Sequence, residues 1–165
     1  MSSSKLAGKK ILVVDDEPDV CEMIQEVLEG ADVETAHTFE AAGEKLAAGG
    51  WDVVILDIMG VKGHDLLAAH GNAYPTIMLT AHALNVDAFK TSVSGKARLF
   101  LPKEELSRLE EYVERVLGEP KKHLWGWLLG KLDFRKWFGP DFSQGDFLKD
   151  LSLDDVMEDL RSGRD

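Results

Sequence analysis

The stretch KILVVDDEP at residues 10–18 and the stretch VVILD at residues 53–57 decide the fold. In each stretch a run of aliphatic residues ends in aspartate, with Asp15 and Asp16 after the first run and Asp57 after the second. A short strand that is apolar at every position is buried on both faces, as in a parallel sheet covered by helices. Because ligands bind beyond the carboxyl ends of such strands, we expect the three carboxylates to meet in one crevice. Their mutual repulsion calls for a hard divalent cation.

Strand patterns alternate with helix patterns through about the first 118 residues. Strands are predicted near residues 10–15, 32–36, 52–57, 75–80 and 98–101. Helices are predicted from Pro18 to the stop at Gly30, from the N-cap Thr38 to Gly49-Gly50, and over residues 64–70, 85–92 and 104–117. Five strand-then-helix units predict a right-handed, doubly wound α/β fold with a five-stranded parallel sheet.

Composition excludes several classes of function. The formal net charge of −11 disfavours a nucleic-acid surface, which needs clustered Lys and Arg, so no DNA contact is expected. Cys21 is the single cysteine, which rules out an internal disulfide and fits a reducing compartment. The start of the chain has no apolar signal region, and no run is long enough to span a membrane. We therefore expect a cytoplasmic protein.

Two more polar side chains follow predicted strands. Thr80 ends strand four, and Lys103 comes just after strand five. Each has an ordinary alternative explanation, since a hydroxyl often satisfies backbone groups and most lysines are surface residues. The acidic residues 15–17 could likewise be a solvated charge run. Because four strands would each deliver a polar group to the same sheet edge, the agreement favours a functional site.

The combined pattern resembles the receiver domain of bacterial two-component response regulators. The resemblance covers about residues 9–118. It rests on residues that occur in the family's order, namely Val13-Val14-Asp15-Asp16-Glu17-Pro18, Leu56-Asp57, Thr80-Ala81, Phe100 and Lys103. It implies a flavodoxin-like, CheY-like sheet with strand order 2-1-3-4-5.

The resemblance also implies roles for individual residues. Asp57 is expected to accept a phosphoryl group from a sensor histidine kinase or a phosphotransfer protein, forming an aspartyl phosphate. Mg²⁺, or Mn²⁺ in its place, is expected on the carboxylates of Asp15, Asp16 and Asp57, with Asp16 the more direct ligand of the opening pair. The main-chain carbonyl of Met59 is a further expected ligand. Lys103 is expected to neutralise charge on the transferring group.

A switch and two modulating positions follow from the same resemblance. Thr80 is expected to bind a phosphoryl oxygen while the aromatic ring of Phe100 turns inward, which changes a protein-contact surface. Met59 and His82 lie two residues past Asp57 and Thr80, where the family modulates access of hydrolytic water. Methionine cannot orient a water by a strong hydrogen bond, so we expect a comparatively long-lived phosphate. The alternative is that both side chains only pack or face solvent.

The loop after Asp57 departs from the family's pattern. The family usually has Met-Pro there and a glycine eight residues past the phosphoacceptor, whereas this chain has Met59-Gly60 and reaches Gly63 after six. We therefore expect a loop shortened by two residues. The family often has proline directly after its lysine, commonly with a cis bond, whereas here Pro102 precedes the lysine and Glu104 follows it. A cis bond before Glu104 would cost about 2.5–4 kcal/mol, so we expect a trans bond.

The chain is expected to divide into a disordered or loose N-terminus (1–8), a receiver domain (9–118) and a helical, aromatic-rich extension (119–165). The extension places tryptophans among basic residues at helical spacing. Packing on its own receiver or on a twin subunit, as a homodimer, is favoured over a partner groove and over a membrane surface. The extension is too short for a usual winged-helix output and has no helix-turn-helix pattern.

The expected function is that of a stand-alone response regulator that signals by phosphorylation-dependent contact with a downstream protein. It would not be an enzyme, apart from assisting its own phosphorylation and dephosphorylation. One alternative is a Mg²⁺-dependent phosphatase of the haloacid-dehalogenase type. That family places its nucleophile after the first strand with a second Asp two residues later, a spacing that DDEP at 15–18 does not offer. Another alternative is a scaffold whose acid cluster is vestigial.

Overall fold

A five-stranded parallel sheet forms the centre of the molecule. The computed structural model describes residues 5–70, 73–80 and 97–118. Within them the strands are β1 (Lys10–Val14), β2 (Asp32–Ala36), β3 (Val53–Asp57), β4 (Thr76–Thr80) and β5 (Leu99–Pro102). Their order is β2-β1-β3-β4-β5. The predicted fold class and strand order are confirmed.

The described helices are α1 (Pro18–Val27), α2 (Phe39–Ala48), α3 (Gly63–His70) and α4 (Leu109–Gly118). Pro18 opens α1, where its fixed φ suits a first turn and its missing N–H costs nothing. The Thr38 side chain caps α2 by accepting a hydrogen bond from the Ala41 amide at 3.1 Å. Gly49 ends α2 with a φ of 79°, a conformation that glycine adopts without strain.

The predicted fifth helix differs from the structure in its first part. Residues Lys103–Arg108 form a 3₁₀ helix, and the α-helix begins only at Leu109. Leu106 and Leu109 are both buried. Their separation of three residues matches the period of a 3₁₀ turn, which brings both onto the core side.

Strand burial explains why the central strands are apolar throughout. Every residue of β3 and β4 is buried, and so is all of β1 after Lys10. β2 lies at an edge of the sheet and buries only Ala36 fully. The mixed sequence of β2 therefore matches a partly exposed edge strand, whereas β5, at the other edge, is apolar and buried throughout like the central strands.

The register brings strand ends together at one edge of the sheet. Val14 pairs with Leu56, so the residues that follow them, Asp15 and Asp57, stand side by side. At the same edge, Thr80 at the end of β4 pairs with Pro102, the residue before Lys103. The convergence expected from the sequence is therefore a property of the sheet's register.

The N-terminal expectation needs correction for residues 5–8. These residues form a turn, Leu6 is fully buried, and the Lys9 amide donates to the Leu6 carbonyl at 3.0 Å. The side chain of Leu6 joins the apolar core, which holds the turn in place. Residues 1–4, the helix predicted over 85–92 and the extension 119–165 lie outside the described residues.

All peptide bonds of the described residues are trans, including the bond between Lys103 and Glu104. None of the described helices is long and apolar enough to cross a lipid bilayer.

Candidate functional site

Asp15 anchors the site from the end of β1. Its side chain is fully buried, and its backbone amide donates to the Ala36 carbonyl at 3.1 Å. One carboxylate oxygen, Oδ1, accepts a hydrogen bond from the Glu17 amide at 2.9 Å. The main chain and half of the carboxylate are thus fixed by neighbouring backbone, which leaves Oδ2 to face the site.

The main-chain carbonyl of Asp15 has two further contacts that the sequence did not indicate. His37 Nδ1 lies 3.0 Å from this carbonyl oxygen, and Cys21 Sγ lies 3.6 Å from it. When Nδ1 carries the ring proton, His37 donates this bond. Burial and the charge of Asp15 raise the pKa of the Cys21 thiol to about 11, so the thiol stays protonated at neutral pH. Cys21 and His37, which are 16 positions apart in sequence, therefore both contact the main chain of Asp15.

Asp57 ends β3 and is 3% exposed. Its Oδ2 accepts a hydrogen bond from the Gly60 amide at 3.3 Å, and its Oδ1 lies 3.5 Å from the Lys103 ammonium. Burial raises the pKa of this carboxyl above its ordinary value, and the charge of Asp15 raises it further. The ammonium and the amide oppose these effects without cancelling them.

Lys103 stands between three carboxylates. Its Nζ lies 3.0 Å from Asp15 Oδ2, 3.6 Å from Glu17 Oε1 and 3.5 Å from Asp57 Oδ1. Burial alone would lower the pKa of this ammonium, but the three acids outweigh burial and raise the pKa. The lysine therefore stays charged and holds together acids that come from two different strands.

The acids fit a hard divalent cation. Within the described ranges, Asp15, Asp16 and Glu17 offer carboxylate oxygens that all lie within 4.8 Å of one another, and Asp57 lies outside this group. The ammonium of Lys103 contacts three carboxyl groups, those of Asp15, Glu17 and Asp57, which leaves an excess of negative charge. Oxygen ligands and excess negative charge are what Mg²⁺ prefers in proteins. Glu17, which the sequence analysis did not assign as a ligand, is thus a candidate beside Asp15 and Asp16.

The short loop after Asp57 packs closely against Asp16 and Asp57. A Cβ built at Gly60 would overlap the carboxylate of Asp16, and a Cβ built at Gly63 would overlap the main-chain carbonyl of Asp57. The Gly63 amide donates to the Ile58 carbonyl at 3.1 Å, which closes the loop. The two glycines identified in sequence as loop punctuation therefore stand in direct contact with the site.

The remaining predicted site residues differ in burial. Thr80 is 5% exposed at the end of β4, and Phe100 is fully buried in β5 opposite Met78. The Met59 side chain is 76% exposed, so it faces solvent. The Met59 carbonyl as a ligand and the Thr80–Phe100 switch stay predictions. His82 lies outside the described residues.

Comparison with known proteins matches this geometry to one family. A family model described as the response regulator receiver domain matches residues 11–114. The DNA-binding response regulator MtrA of Mycolicibacterium smegmatis is 32% identical over 126 residues, which cover 70% of this chain and 55% of MtrA. The chain therefore spans about half the length of the curated relatives it matches.

Solved structures agree with this match. A response regulator receiver domain protein from Clostridium thermocellum is 27% identical, has a TM-score of 0.61, and is covered to 97% by 68% of this chain. A CheY-like receiver domain protein from Methanospirillum hungatei JF-1 is 21% identical with a TM-score of 0.58, covering 68% of this chain and 99% of its own. The latter similarity concerns the fold alone.

Proposed function

This chain belongs to the response regulator receiver domain family, and we propose that it accepts a phosphoryl group on Asp57 with the help of Mg²⁺. The observation that carries the proposal is the position of Lys103, whose ammonium lies within 3.6 Å of Asp15, Glu17 and Asp57. A buried carboxylate beside a charged lysine and an acidic cation site has the parts that phosphoryl transfer needs.

Asp57 is the proposed nucleophile. One of its carboxylate oxygens forms a bond to phosphorus as the bond between phosphorus and the donor's histidine nitrogen breaks, and the electron pair of that bond stays on the nitrogen. Because burial and Asp15 raise the pKa of Asp57, its carboxylate is more basic than an exposed aspartate and a stronger nucleophile. The histidine belongs to a sensor kinase or a phosphotransfer protein.

Lys103 and the Gly60 amide prepare the site for charge on the transferring group. The ammonium and the N–H group each touch one oxygen of Asp57, so they are already aimed at the atoms where the phosphoryl group arrives. Such groups cost no reorganisation during the transfer. When bound at Asp15, Asp16 and Glu17 or Asp57, Mg²⁺ would supply further neutralisation of phosphoryl charge.

The output of the proposed regulator is contact with another protein. Phosphorylation adds about −1.5 to −2 charge beside Thr80 and Lys103, which would rearrange the adjoining surface. The MtrA relatives are named DNA-binding response regulators. The net charge of −11 disfavours a phosphate-binding surface on this chain, so we propose that it signals by protein contact without DNA contact.

The two alternatives differ in what they do with a phosphoryl group. A phosphatase of the haloacid-dehalogenase type would carry its nucleophile after β1 with a second Asp two residues later, whereas the residue two positions past Asp15 is Glu17 and the carboxyl with the raised pKa, Asp57, ends β3. A scaffold with a vestigial cluster would not need Lys103 to bridge three carboxylates. Both observations favour the regulator.

Incubation with a small phosphodonor, with and without Mg²⁺, tests the proposal by intact mass and phosphate release. The regulator predicts a gain of one phosphoryl group that requires Mg²⁺ and disappears in Asp57→Asn. The matched control Asp32→Asn, at the opposite end of the sheet, should behave like the wild type. Continuous phosphate release would support the phosphatase, and an unchanged mass would support the scaffold.

A further inference from the structure

Gly60 is glycine for a reason other than backbone conformation. Among the described residues, the glycines that need a positive φ are Gly8, Gly30, Gly49 and Gly50. Gly60 is not among them, so its backbone lies in a region open to any L-amino acid. Position 60 instead has no space for a side chain.

The space beside Gly60 is taken by the carboxylate of Asp16. A Cβ at position 60 would overlap the Cγ and both carboxylate oxygens of Asp16. The conflict involves a side chain and not backbone, so Asp16 would have to move while the loop could stay.

Gly60 also touches the other acid of the site. Its amide donates to Asp57 Oδ2 at 3.3 Å. Gly60 thus binds an oxygen of Asp57 through its N–H group, and because it has no side chain it leaves room for the carboxylate of Asp16. Asp16 contributes to the group of oxygens that lie within 4.8 Å of one another, so moving it opens that group.

We propose that Gly60 is a positioning residue for the cation site, because the absence of a side chain at this position lets the Asp16 carboxylate sit against the loop and close the oxygen cluster. The proposal deepens the proposed function and rests on its cation site. It concerns the affinity for Mg²⁺, not the transfer step. Residues that orient a metal ligand typically change metal affinity by about 10- to 100-fold when they are mutated.

Gly60→Ala isolates the effect of the side chain, because alanine keeps the amide that binds Asp57. We expect calorimetric titration with Mg²⁺ to show affinity lowered by about tenfold or more. In EDTA the melting temperature should equal or exceed that of the wild type, since alanine at an allowed φ restricts the unfolded chain. The ¹³C resonance of the Asp16 carboxyl in the metal-free protein should move.

The matched control is Gly43→Ala, because a Cβ at Gly43 meets no atom within 4 Å. This variant should keep the wild-type affinity for Mg²⁺ and the wild-type Asp16 resonance. Wild-type affinity in Gly60→Ala would overturn the role of Gly60 alone. A weakened affinity with an unmoved Asp16 resonance and a lowered melting temperature would also overturn it. Wild-type protein that binds Mg²⁺ no better than Asp16→Ala would overturn the cation site of the proposed function as well.

Discussion

At the scale of single residues, Lys103 offsets part of the negative charge of the site. Three carboxylates lie within 3.6 Å of its ammonium, and their combined attraction raises its pKa in spite of burial. The same ammonium therefore stabilises the resting acids and, in the proposed function, would also contact the incoming phosphoryl group. Removing the ammonium should therefore slow phosphorylation but should not weaken Mg²⁺ binding.

Lys103→Ala should slow phosphorylation of Asp57 by about 10²-fold, because one preorganised charge on the transferring group is lost. The same change should leave Mg²⁺ affinity equal or higher, since a competing cation leaves the acids. Single-turnover phosphorylation and Mg²⁺ titration measure the two effects. Lys45→Ala, which removes a surface lysine paired with Glu34, is the control. A loss of Mg²⁺ affinity in Lys103→Ala together with normal phosphorylation would contradict this role.

The buried charge of Asp57 predicts a pH-dependent effect on stability. Its pKa is raised by burial first and by Asp15 second, from an ordinary value of 3.8. The folded state then binds this proton more tightly than the unfolded state, so the carboxyl's contribution to stability falls as pH rises through the raised pKa. Asp57→Asn should therefore be more stable than the wild type at pH 7 in EDTA.

Urea unfolding measured from pH 7 downward checks this sign. The advantage of Asp57→Asn should shrink as the pH falls through the raised pKa towards 3.8, and it should vanish below that value, where the wild-type carboxyl is protonated in both states. Asp32→Asn, on an exposed edge residue, controls for the general effect of losing an acid. An Asn variant less stable than the wild type at pH 7 would show that Lys103 outweighs burial.

At the scale of elements, the sequence predicted what periodicity and capping determine. The bounds of β2 were predicted to the residue, and those of the other strands within one residue. The 3₁₀ helix at Lys103–Arg108 was not predicted, because Leu106 and Leu109 fit both a three-residue and a 3.6-residue period. The contacts of Gly60 and Gly63 could not be predicted either, since a glycine's sequence context does not reveal what lies beside its Cα.

Thr38 caps α2, and its removal should have a cost of ordinary size. Thr38→Ala loses the hydrogen bond from the Ala41 amide, so the free energy of unfolding should fall by about 1 kcal/mol. Thr38→Ser keeps the hydroxyl and should lose less. Equal losses in the two variants, measured by urea unfolding, would mean that the cap does not act through its hydroxyl.

Gly63 should respond to alanine more severely than Gly60. A Cβ at Gly63 would meet the backbone of Asp57 and lie 3.0 Å from the Cα of Ile58, and this backbone cannot swing aside as a carboxylate can. We expect Gly63→Ala to lower the free energy of unfolding by about 1–3 kcal/mol and to impair phosphorylation of Asp57. Urea unfolding and intact mass measure the two losses. A Gly63→Ala variant as stable as the wild type would contradict the tight closure of this loop.

At the scale of the whole molecule, the site is a consequence of sheet topology. β1 and β3 are neighbours, and their register sets Asp15 beside Asp57, while β5 delivers Lys103 across β4. The sequence revealed this meeting because each acid directly follows an apolar run. The sequence did not reveal that Cys21 and His37 contact the main-chain carbonyl of Asp15. Neither residue belongs to a recognisable sequence motif, and their contacts depend on how α1 and β2 flank β1.

The most direct test of the central claim is to locate the phosphoryl group after incubation with a small phosphodonor and Mg²⁺. Borohydride reduction of an aspartyl phosphate leaves homoserine, which peptide mass spectrometry assigns to a position. Homoserine is expected at position 57, and none at positions 15 or 16. Homoserine at either of those positions, or a stable phosphoryl group in Asp57→Asn, would contradict the claim.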